Sequence, residues 1–257
     1  MNAPGQAPIR QGRLCVITGA SRGIGLALGR EFAARGFRVV SASRSAPDEA
    51  TGFGWVKADV CGAEGREAIA AFVAAEGKDG LAVLINNAGR GIQETWEEMS
   101  ESDLRAVMEL NFFAPVALSK RLLPELKRAG GTVINVSSAA GKVGVACMGG
   151  YCASKFALSA FSESLRAEIE PSGVRVLNLI VGRIATGFGD RVLGKRTAPE
   201  TPGMVASPER LARAVFRAYR RRRREIVFPG YYRPLLWIAR HLPGYSARLG
   251  RRAWKLE

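Results

Sequence analysis

Near its amino terminus the chain passes from an apolar segment through a glycine-rich turn into a helical pattern. Residues 13–19, RLCVITG, are apolar and rich in β-branched residues, which is typical of a buried parallel strand. Residues 24–36, IGLALGREFAARG, repeat apolar side chains at helical spacing and end in a glycine suited to a helix C-cap. A strand, a tight turn and a helix in this order begin a βαβ unit. The segment therefore predicts a parallel sheet covered by helices.

The rest of the chain repeats this alternation of strand and helix patterns. Further strands are predicted at residues 37–43, 52–60, 81–89, 131–141 and 174–182. Further helices are predicted at residues 65–77, 102–131 and 151–173, the second with its N-cap at Ser102 or Asp103. We therefore predict an α/β fold, a single-domain doubly wound parallel sheet of the Rossmann-like type, over residues 12–230. Residues 231–257 are predicted to form a basic, partly apolar C-terminal extension.

The turn TGASRGIG, at residues 18–25, has the composition that phosphate binding requires. Glycine lets the chain turn sharply after the strand, lets the backbone approach a pyrophosphate, and lets the helix pack closely on the strand. The helix N-terminus adds free N–H groups and the positive end of the helix dipole. This context predicts a dinucleotide-binding turn. Its predicted cofactor contacts are Gly19, Ser21, Arg22, Gly23, Ile24 and Gly25.

The end of the second strand indicates which dinucleotide binds. A site for NAD usually places an Asp or Glu here to bind the ribose hydroxyls. The sequence at residues 41–45 is instead SASRS, with Arg44 at this position and Arg22 in the glycine turn. Two guanidinium groups can bind a 2′-phosphate through charge-assisted hydrogen bonds. We therefore predict cofactor contacts from Ser43 and Arg44 and prefer NADP to NAD.

Three motifs in this order give the sequence a resemblance to the short-chain dehydrogenase/reductase family: TGASRGIG, NNAG at residues 86–89, and YCASK at residues 151–155. The resemblance covers residues 12–230 and implies one domain that binds NAD(P) and interconverts carbonyls and alcohols without a metal. Further cofactor contacts that it implies are Asp59, Val60, Asn87, Ala88, Gly89, Tyr151, Lys155 and Thr186. The catalytic residues that it implies are Asn111, Ser138, Tyr151 and Lys155, with Ser137 a weaker alternative to Ser138.

The pair Tyr151 and Lys155 is predicted to carry the proton chemistry. Residues i and i+4 are neighbours on a helix, so this spacing brings a phenol beside an ammonium group. A nearby positive charge favours the phenolate, and we expect it to lower the tyrosine pKa from its usual value of ~10. The resemblance implies that Ser138 holds the substrate oxygen. It also implies that Lys155 holds the nicotinamide ribose and that Asn111 supports a proton-relay water.

The segments expected around the substrate are mostly small and apolar. Residues 143–150, VGVACMGG, lie between the predicted serine and tyrosine, and the resemblance implies a flexible flap at residues 184–205. Four basic residues near the flap are not clearly placed as anchors for an anion: Arg183, Arg191, Lys195 and Arg196. We therefore expect a hydrophobic ketone, aldehyde or alcohol of lipid, steroid or acyl type. Val181 stands where the family commonly has proline, so the backbone conformation at this position is not predicted.

Positive charge is concentrated near the carboxyl terminus. The formal net charge is +15, of which residues 207–257 carry +11. This region contains five consecutive arginines, residues 220–224, and a short apolar block, residues 235–239, with Tyr231, Tyr232 and Trp237. Two alternatives stay open: the tail lies on an anionic membrane surface, or it packs on the domain or on a partner subunit. Nucleic-acid binding is disfavoured because no recognition motif accompanies the arginines.

Other features argue against several classes of protein. A single histidine, His241, argues against a Ser-His-Asp hydrolase and a zinc site, and no metal site is predicted. The four cysteines lack C-x-x-C spacing and are expected to be reduced thiols of a cytoplasmic protein. The amino-terminal residues show no secretory pattern, and no apolar segment reaches the ~18 residues of a spanning helix.

The sequence thus predicts an NADP(H)-dependent oxidoreductase of the short-chain type. Two alternatives are a non-catalytic NADP-binding regulatory protein and a membrane-surface protein that uses its basic tail. An epimerase or dehydratase on the same fold is the alternative enzyme. The resemblance also implies a homodimer or homotetramer paired through the helices near residues 103–128 and 152–171.

Overall fold

The computed structural model describes residues 12–189, 192–199 and 204–256. Its strands are β1 (Leu14–Thr18), β2 (Arg38–Ser43), β3 (Gly54–Lys57), β4 (Val83–Asn86), β5 (Thr132–Ser138), β6 (Arg175–Val181) and β7 (Glu225–Phe228). They form one sheet in the order β3-β2-β1-β4-β5-β6-β7, and every neighbouring pair is parallel.

Helices connect the strands and cover both faces of the sheet. They are α1 (Gly23–Ala34), α2 (Ala63–Glu76), α3 (Glu101–Met108), α4 (Ala114–Arg128), α5 (Gly149–Ile169), α6 (Pro208–Arg220), α7 (Tyr232–His241) and α8 (Pro243–Ala253). A π-helical turn, Glu109–Phe113, separates α3 from α4. Within the described residues, no helix is both long enough and apolar enough to cross a bilayer.

Side chains of β1 divide the core into two layers, because successive residues of a strand point to opposite faces. Cys15 and Ile17 pack in the layer that contains α1 and α6, whereas Leu14 and Val16 pack in the layer that contains α2 and α4. Phe32 of α1 lies edge-on to Phe216 of α6, with ring centroids 5.2 Å apart. Burying a large apolar side chain of this kind stabilises a fold by about 1.5–3 kcal/mol. The core therefore fixes the strand ends where the predicted site lies.

The predicted fold class is confirmed, and each of the six predicted strands has a counterpart in the sheet. β7 was not predicted, because its four residues follow the arginine run and it is ordered only by pairing with β6. The division of the chain at residue 230 stays a prediction. The extension beyond it forms α7 and α8.

The prediction of one uninterrupted helix from Ser102 or Asp103 is wrong. The helix begins at Glu101, and Ser100 is its N-cap, because the Ser100 hydroxyl accepts a hydrogen bond from the Asp103 N–H at 3.1 Å. The π-helical turn then shifts the register between α3 and α4. Sequence periodicity predicts helix in both cases and does not distinguish an α turn from a π turn.

Candidate active site

The carboxyl ends of the strands bring the predicted site residues to one edge of the sheet. The turn at 19–25 follows β1, Ser43 and Arg44 lie at the end of β2, Asp59 and Val60 follow β3, residues 87–89 follow β4, Ser138 ends β5, and Thr186 follows β6. Tyr151 and Lys155 reach this edge from α5, and Asn111 from the π-helical turn. The strand order reverses between β1 and β4, and ligands of open α/β sheets bind at such a switch point.

The glycine turn adopts a backbone that side chains would obstruct. Gly19 and Gly23 have φ values of +69° and +57°, in the left-handed region that favours glycine. A Cβ atom on Gly25 would collide with the carbonyl oxygen of Gly19 and the side-chain amide of Asn87. A Cβ atom on Gly23 would lie 3.3 Å from Cβ of Thr186. At Gly25 the turn therefore packs tightly against its own backbone and Asn87, and at Gly23 it faces Thr186.

The NNAG segment is tied to this turn through Thr18, a residue that was not among the predicted contacts. The Thr18 hydroxyl accepts hydrogen bonds from the backbone N–H groups of Asn87 and Ala88, both at 3.0 Å. The Asn87 side-chain amide donates to the Thr18 carbonyl at 2.8 Å and to the Gly19 carbonyl at 3.1 Å. The position of Thr18, directly before the first glycine, was the available signal. These bonds hold the two loops at a fixed separation across the crevice.

The residues predicted to contact the adenosine half of a dinucleotide differ in exposure. Arg22 and Arg44 are exposed, and within the described residues neither side chain forms a hydrogen bond or an ion pair. The Ser43 hydroxyl donates to the Ser45 carbonyl at 2.8 Å, so it braces the loop that carries Arg44. Asp59 accepts a hydrogen bond from the Cys61 N–H at 3.0 Å. Ser21 and Ile24 are half-buried and Val60 is buried.

Tyr151 and Ser138 lie side by side at the end of β5. The Ser138 hydroxyl is close enough to the phenol to lower the tyrosine pKa. Ser138 also accepts a hydrogen bond from the Ala140 N–H at 3.2 Å. The neighbouring Ser137 is buried and donates to the Lys155 carbonyl at 3.1 Å, so its hydroxyl braces α5. This arrangement favours Ser138 over Ser137 as the partner of the tyrosine.

The expectation that Lys155 lowers the Tyr151 pKa is wrong for this structure. Burial raises the pKa of Tyr151 to about 12, and this outweighs the opposite effect of the nearby Ser138 hydroxyl. The Lys155 ammonium lies 5.9 Å from the tyrosine ring centre and donates a hydrogen bond to the Val136 carbonyl at 2.9 Å. Burial also lowers the pKa of Lys155 to about 8. The phenol is therefore protonated at neutral pH and can donate a proton.

Asn111 is fully buried in the π-helical turn, and three hydrogen bonds hold its side chain. Its side-chain oxygen accepts from the Arg90 N–H at 2.9 Å, and its amide donates to the Arg90 carbonyl at 2.8 Å. The amide also donates to the hydroxyl of Ser154 at 2.9 Å, a serine that no sequence pattern had indicated. A Cβ atom on Gly89 would lie 3.1 Å from the Asn111 oxygen and 3.5 Å from the Lys155 nitrogen. Both groups therefore border the same space.

Apolar side chains surround the tyrosine on its outer side. The Phe188 ring lies 6.1 Å from the Tyr151 ring, and Tyr151 also belongs to a cluster with Ile92, Met148 and Leu193. Residues 192–199 of the expected flap pair with the loop after β4 through a parallel bridge between Ile92 and Leu193. Residues 190–191 and 200–203 of the flap, including Arg191, lie outside the described residues.

The basic residues near the flap have protein partners. Arg196 forms ion pairs with Glu94 at 3.5 Å and with Glu98 at 3.3 Å. Arg183 donates to the Pro199 carbonyl at 2.7 Å. Lys195 is exposed, and its backbone N–H donates to Glu94 at 2.8 Å. These contacts fix the flap and leave the tyrosine facing a mainly apolar surface.

The backbone after Val181, where proline is usual in the family, is fixed by residues from the end of the chain. The Gly182 N–H donates to the Phe228 carbonyl at 2.8 Å, and the Arg183 N–H donates to the Tyr232 hydroxyl at 3.2 Å. The Tyr232 ring packs directly on Gly182, where any side chain would collide with it. The first turn of α7 therefore supports the loop that leads to Thr186.

The residues present fit a dinucleotide. A left-handed glycine turn at a helix N-terminus can accept a pyrophosphate on its free N–H groups. Two exposed guanidinium groups lie on the adenosine side, and a buried lysine and tyrosine lie on the other side. Among the described residues, no group of His, Cys, Asp or Glu side chains could hold a metal ion.

Comparison with known proteins gives matches over most of the chain. A sequence model of the family described as short chain dehydrogenase matches residues 13–196. The 3-ketodihydrosphingosine reductase of Bacteroides thetaiotaomicron is 34% identical over 182 residues, which cover 70% of this chain and 67% of that protein. The NADPH-dependent 1-acyldihydroxyacetone phosphate reductase of Schizosaccharomyces pombe is 33% identical over 195 residues, which cover 74% of this chain and 66% of that protein. A solved short chain dehydrogenase from Burkholderia cenocepacia, in complex with NADP, has a TM-score of 0.78 at 27% identity, covering 93% of this chain and 98% of that chain.

The fold and the crevice at its switch point define a dinucleotide-dependent oxidoreductase of the α/β class. The chain belongs to the short-chain dehydrogenase/reductase family, because the family match spans well over half of its length. The predictions of this family and of an enzyme that acts on CH–OH or carbonyl groups are thereby confirmed.

Proposed function

We propose that this enzyme uses NADPH to reduce a hydrophobic ketone or aldehyde to an alcohol. The observation that carries the proposal is the position of Tyr151 beside Ser138, facing an apolar surface at the edge of the dinucleotide crevice. A pKa of about 12 keeps Tyr151 protonated at neutral pH, so the phenol carries the proton that reduction of a carbonyl requires. Oxidation of an alcohol would instead require the phenolate.

In the proposed mechanism the bound cofactor supplies a hydride to the carbonyl carbon. The Ser138 hydroxyl donates a hydrogen bond to the carbonyl oxygen and stabilises the negative charge that develops on it. Tyr151 transfers its phenolic proton to that oxygen, which completes the alcohol. The Lys155 ammonium holds the cofactor ribose and returns a proton to Tyr151 through a water that Asn111 supports. These residue roles are predictions, and substitution of Tyr151 tests the central one.

Two arginines support the preference for NADP. Arg22 and Arg44 are exposed beside the crevice and form no hydrogen bond or ion pair in the described residues, so both can bind a 2′-phosphate. Among the relatives, one is described as NADPH-dependent, and one solved structure contains NADP. The remaining cofactor contacts are those predicted from the motifs.

The apolar surface around Tyr151 supports a lipid-type substrate. Phe188, Met148 and Leu193 lie there, whereas Arg196 of the flap forms ion pairs with two glutamates. The two relatives are described as reducing a ketosphingoid base and an acylated dihydroxyacetone phosphate. We therefore propose a carbonyl group attached to a long alkyl or acyl chain.

A chain-length series tests this function. NADPH consumption would be measured with methyl ketones of increasing alkyl length, and kcat/KM is expected to rise by about threefold to fourfold per added CH₂ until the pocket is filled, since each buried CH₂ contributes about 0.8 kcal/mol. In Phe188→Ala the gain per CH₂ should shrink, while NADPH affinity should stay unchanged. Equal kcat/KM for short and long ketones would contradict the proposed substrate class.

The C-terminal helices α7 and α8 support a peripheral contact with an anionic membrane. Trp237, Leu242 and Tyr245 are 60%, 53% and 56% exposed, and basic residues accompany them along the same helices. Binding to anionic vesicles is expected to fall in Trp237→Ser/Leu242→Ser and to stay normal in Val205→Ser, an exposed apolar site outside the tail. Unchanged vesicle binding in the tail variant would exclude this role.

A homodimer or homotetramer also stays a proposal. The helices expected to pair expose two aromatic side chains, Phe113 and Phe156, at 52% and 43%. Sedimentation of Phe156→Glu beside the wild-type protein tests it, since a buried charge should dissociate the assembly. A cytoplasmic localisation stays a proposal, and the vesicle experiment tests the alternative of a peripheral position at a membrane.

A further inference from the structure

A basic groove lies at the opposite end of the sheet from Tyr151. Its cavity has a volume of about 360 Å³ and is formed by the amino ends of β1 and β6, the end of α5 and the turn between α6 and β7. Six arginines line this basic groove: Arg13, Arg166, Arg175, Arg222, Arg223 and Arg224. One carboxylate, Glu170, lines it as well, and it pairs with Arg224 at 3.1 Å.

Two of these arginines are held in place by uncharged groups. The Arg175 guanidinium stacks 5.1 Å from the Tyr219 ring centre and donates to the Tyr219 carbonyl at 3.2 Å. Arg166 donates to the carbonyls of Val176 and Arg224, at 3.2 and 2.9 Å. Burial, followed by the nearby positive charge of Arg224, lowers the pKa of Arg166. The two guanidiniums are thus positioned without a directly bound carboxylate in the described residues.

The other side of the basic groove carries free cations. In the part of the chain that the structure describes, the side chains of Arg13, Arg222 and Arg223 form no hydrogen bond or ion pair. Arg222 has a φ of +52°, in the left-handed region where glycine is the usual residue at the end of a helix. The turn itself needs only backbone, because the N–H groups of residues 222 and 223 donate to the carbonyls of Tyr219 and Ala218. An arginine at this position is unfavourable for the backbone and adds charge to the groove.

The helix dipole does not account for the whole cluster. Cations near the carboxyl end of α6 interact favourably with its dipole, but this effect is confined to the last turn. Arg13 directly precedes β1, Arg175 begins β6, and Arg166 comes from α5. Clustered like charges raise the free energy of a fold, whereas a bound anion lowers it.

We propose that the basic groove binds a phosphate-bearing small molecule with at least two negative charges. Guanidinium groups match phosphate oxygens through paired, charge-assisted hydrogen bonds, and the arginines here come from four separate segments that surround one cavity. The volume lies at the lower end of the range of ligand pockets, about 300–1,000 Å³. No aromatic side chain is among the described residues that line the groove, so it lacks the stacking platform of a single-strand nucleic-acid site.

Calorimetry with tripolyphosphate, in saturating NADPH, tests this site on the full-length chain. NADPH covers the glycine turn, so the probe reports on binding elsewhere. The variant Arg222→Gly/Arg223→Ser should weaken tripolyphosphate binding by at least about tenfold, since each charge-assisted hydrogen bond contributes about 1.5–3 kcal/mol. Glycine suits the backbone at residue 222, so this variant is expected to fold. The matched control Arg210→Ser/Arg213→Ser removes two exposed charges from α6, the helix that precedes this turn, and should change the affinity less than about twofold.

Vesicles of phosphatidic acid distinguish a lipid headgroup from a soluble phosphate. A selective loss of tripolyphosphate binding in the groove variant supports a soluble ligand, and a selective loss of vesicle binding supports a headgroup at the same site. Equal losses in the groove variant and the control, or no loss in either, would overturn the site. A loss of duplex DNA binding that exceeds the loss of tripolyphosphate binding would overturn its assignment to a small molecule. Because the two substituted arginines lie far from the catalytic end, these outcomes do not depend on whether the enzyme is a ketone reductase.

Discussion

The two ends of the parallel sheet place positive charge in opposite environments. At the carboxyl end a single ammonium group, that of Lys155, is buried against the Val136 carbonyl, and its pKa is lowered to about 8. At the amino end six guanidinium groups line an open groove, and three of them have no side-chain partner in the described residues.

The comparison separates the effect of burying one positive group from the effect of clustering several positive groups. Burial shifts the proton affinity of one group toward neutral pH, which suits proton transfer. Clustering of guanidiniums creates a strong positive field, which suits anion binding. One fold therefore separates a proton-transfer end from an anion-binding end, and substitutions at either end should leave the other function intact.

The largest effect is expected from removing the phenolic hydroxyl. Tyr151→Phe should lower kcat for ketone reduction by about 10²–10⁴, because a positioned general acid contributes that much. Tripolyphosphate binding at the amino end should be unchanged. Steady-state kinetics beside Tyr231→Phe, an exposed tyrosine, provides the control, and near-normal turnover in Tyr151→Phe would remove the proposed proton donor.

A smaller effect is expected from the buried ammonium on stability as pH changes. The folded pKa of Lys155, about 8, is below its usual value of 10.5. Between these values the unfolded chain binds the proton and the folded chain does not, so the contribution of Lys155 to the free energy of unfolding should rise with pH by about 3 kcal/mol in this window. The four cysteines act in the opposite direction above about pH 9, because burial raises the pKa of Cys15, Cys61, Cys147 and Cys152. Below pH 8 both states are protonated and this contribution is flat.

Above pH 10 Tyr151 also contributes with the opposite sign, because it stays protonated in the folded chain up to a pKa of about 12 while the unfolded phenol ionises. Urea unfolding at several pH values isolates the lysine when variants are compared with the wild-type protein. The difference in the free energy of unfolding between the wild-type protein and Lys155→Met should change with pH between 8 and 10.5, whereas the difference between the wild-type protein and Arg222→Gly should stay constant. An equal pH dependence in the wild-type protein and Lys155→Met would contradict the buried-ammonium assignment.

Arg22 and Arg44, at the carboxyl end of the sheet, should affect only the binding of the cofactor. Arg22→Ser/Arg44→Ser is expected to weaken NADPH binding by about 10- to 100-fold, as expected for the loss of charge-assisted bonds to a phosphate, and to change NADH binding less than about twofold. Fluorescence titration with both cofactors, beside the exposed control Arg30→Ser, measures the ratio. Equal losses of affinity for NADPH and NADH would show that neither arginine binds the 2′-phosphate.

The smallest effect is expected at residue 222. Arg222→Gly should raise the free energy of unfolding by up to about 1 kcal/mol, because glycine adopts the left-handed backbone without a steric penalty. The gain should be largest at low salt, where repulsion among the arginines is strongest. Chemical denaturation beside Arg213→Gly, in the middle of α6, gives a matched control that should lose stability.

The sequence predicts the parts of the site that depend on short segments. The glycine turn, the six strands and the i, i+4 pair follow from local composition and spacing, which is why the sequence alone suffices to place the crevice. β7 could not be predicted, because its four residues form a strand only against β6. The direction of the Tyr151 pKa shift was also out of reach, since it depends on tertiary burial that the spacing to Lys155 does not reveal. The basic groove joins residues 13, 166, 175 and 222–224, which only the fold brings together.

Because of the π-helical turn, the orientation of the Asn111 side chain depends on the number of residues between α3 and α4 as well as on residue type. The π turn holds one residue more than a continuous α-helix would, so deleting the exposed Phe113 would close the turn into regular α-helix without rotating α3 against α4. The fully buried Leu118, Leu122 and Leu126 hold α4 in its present rotation. The amide of Asn111 would then swing away from Ser154 and Arg90. A one-residue deletion, with every site residue still present, should uncouple this amide from the lysine beside it.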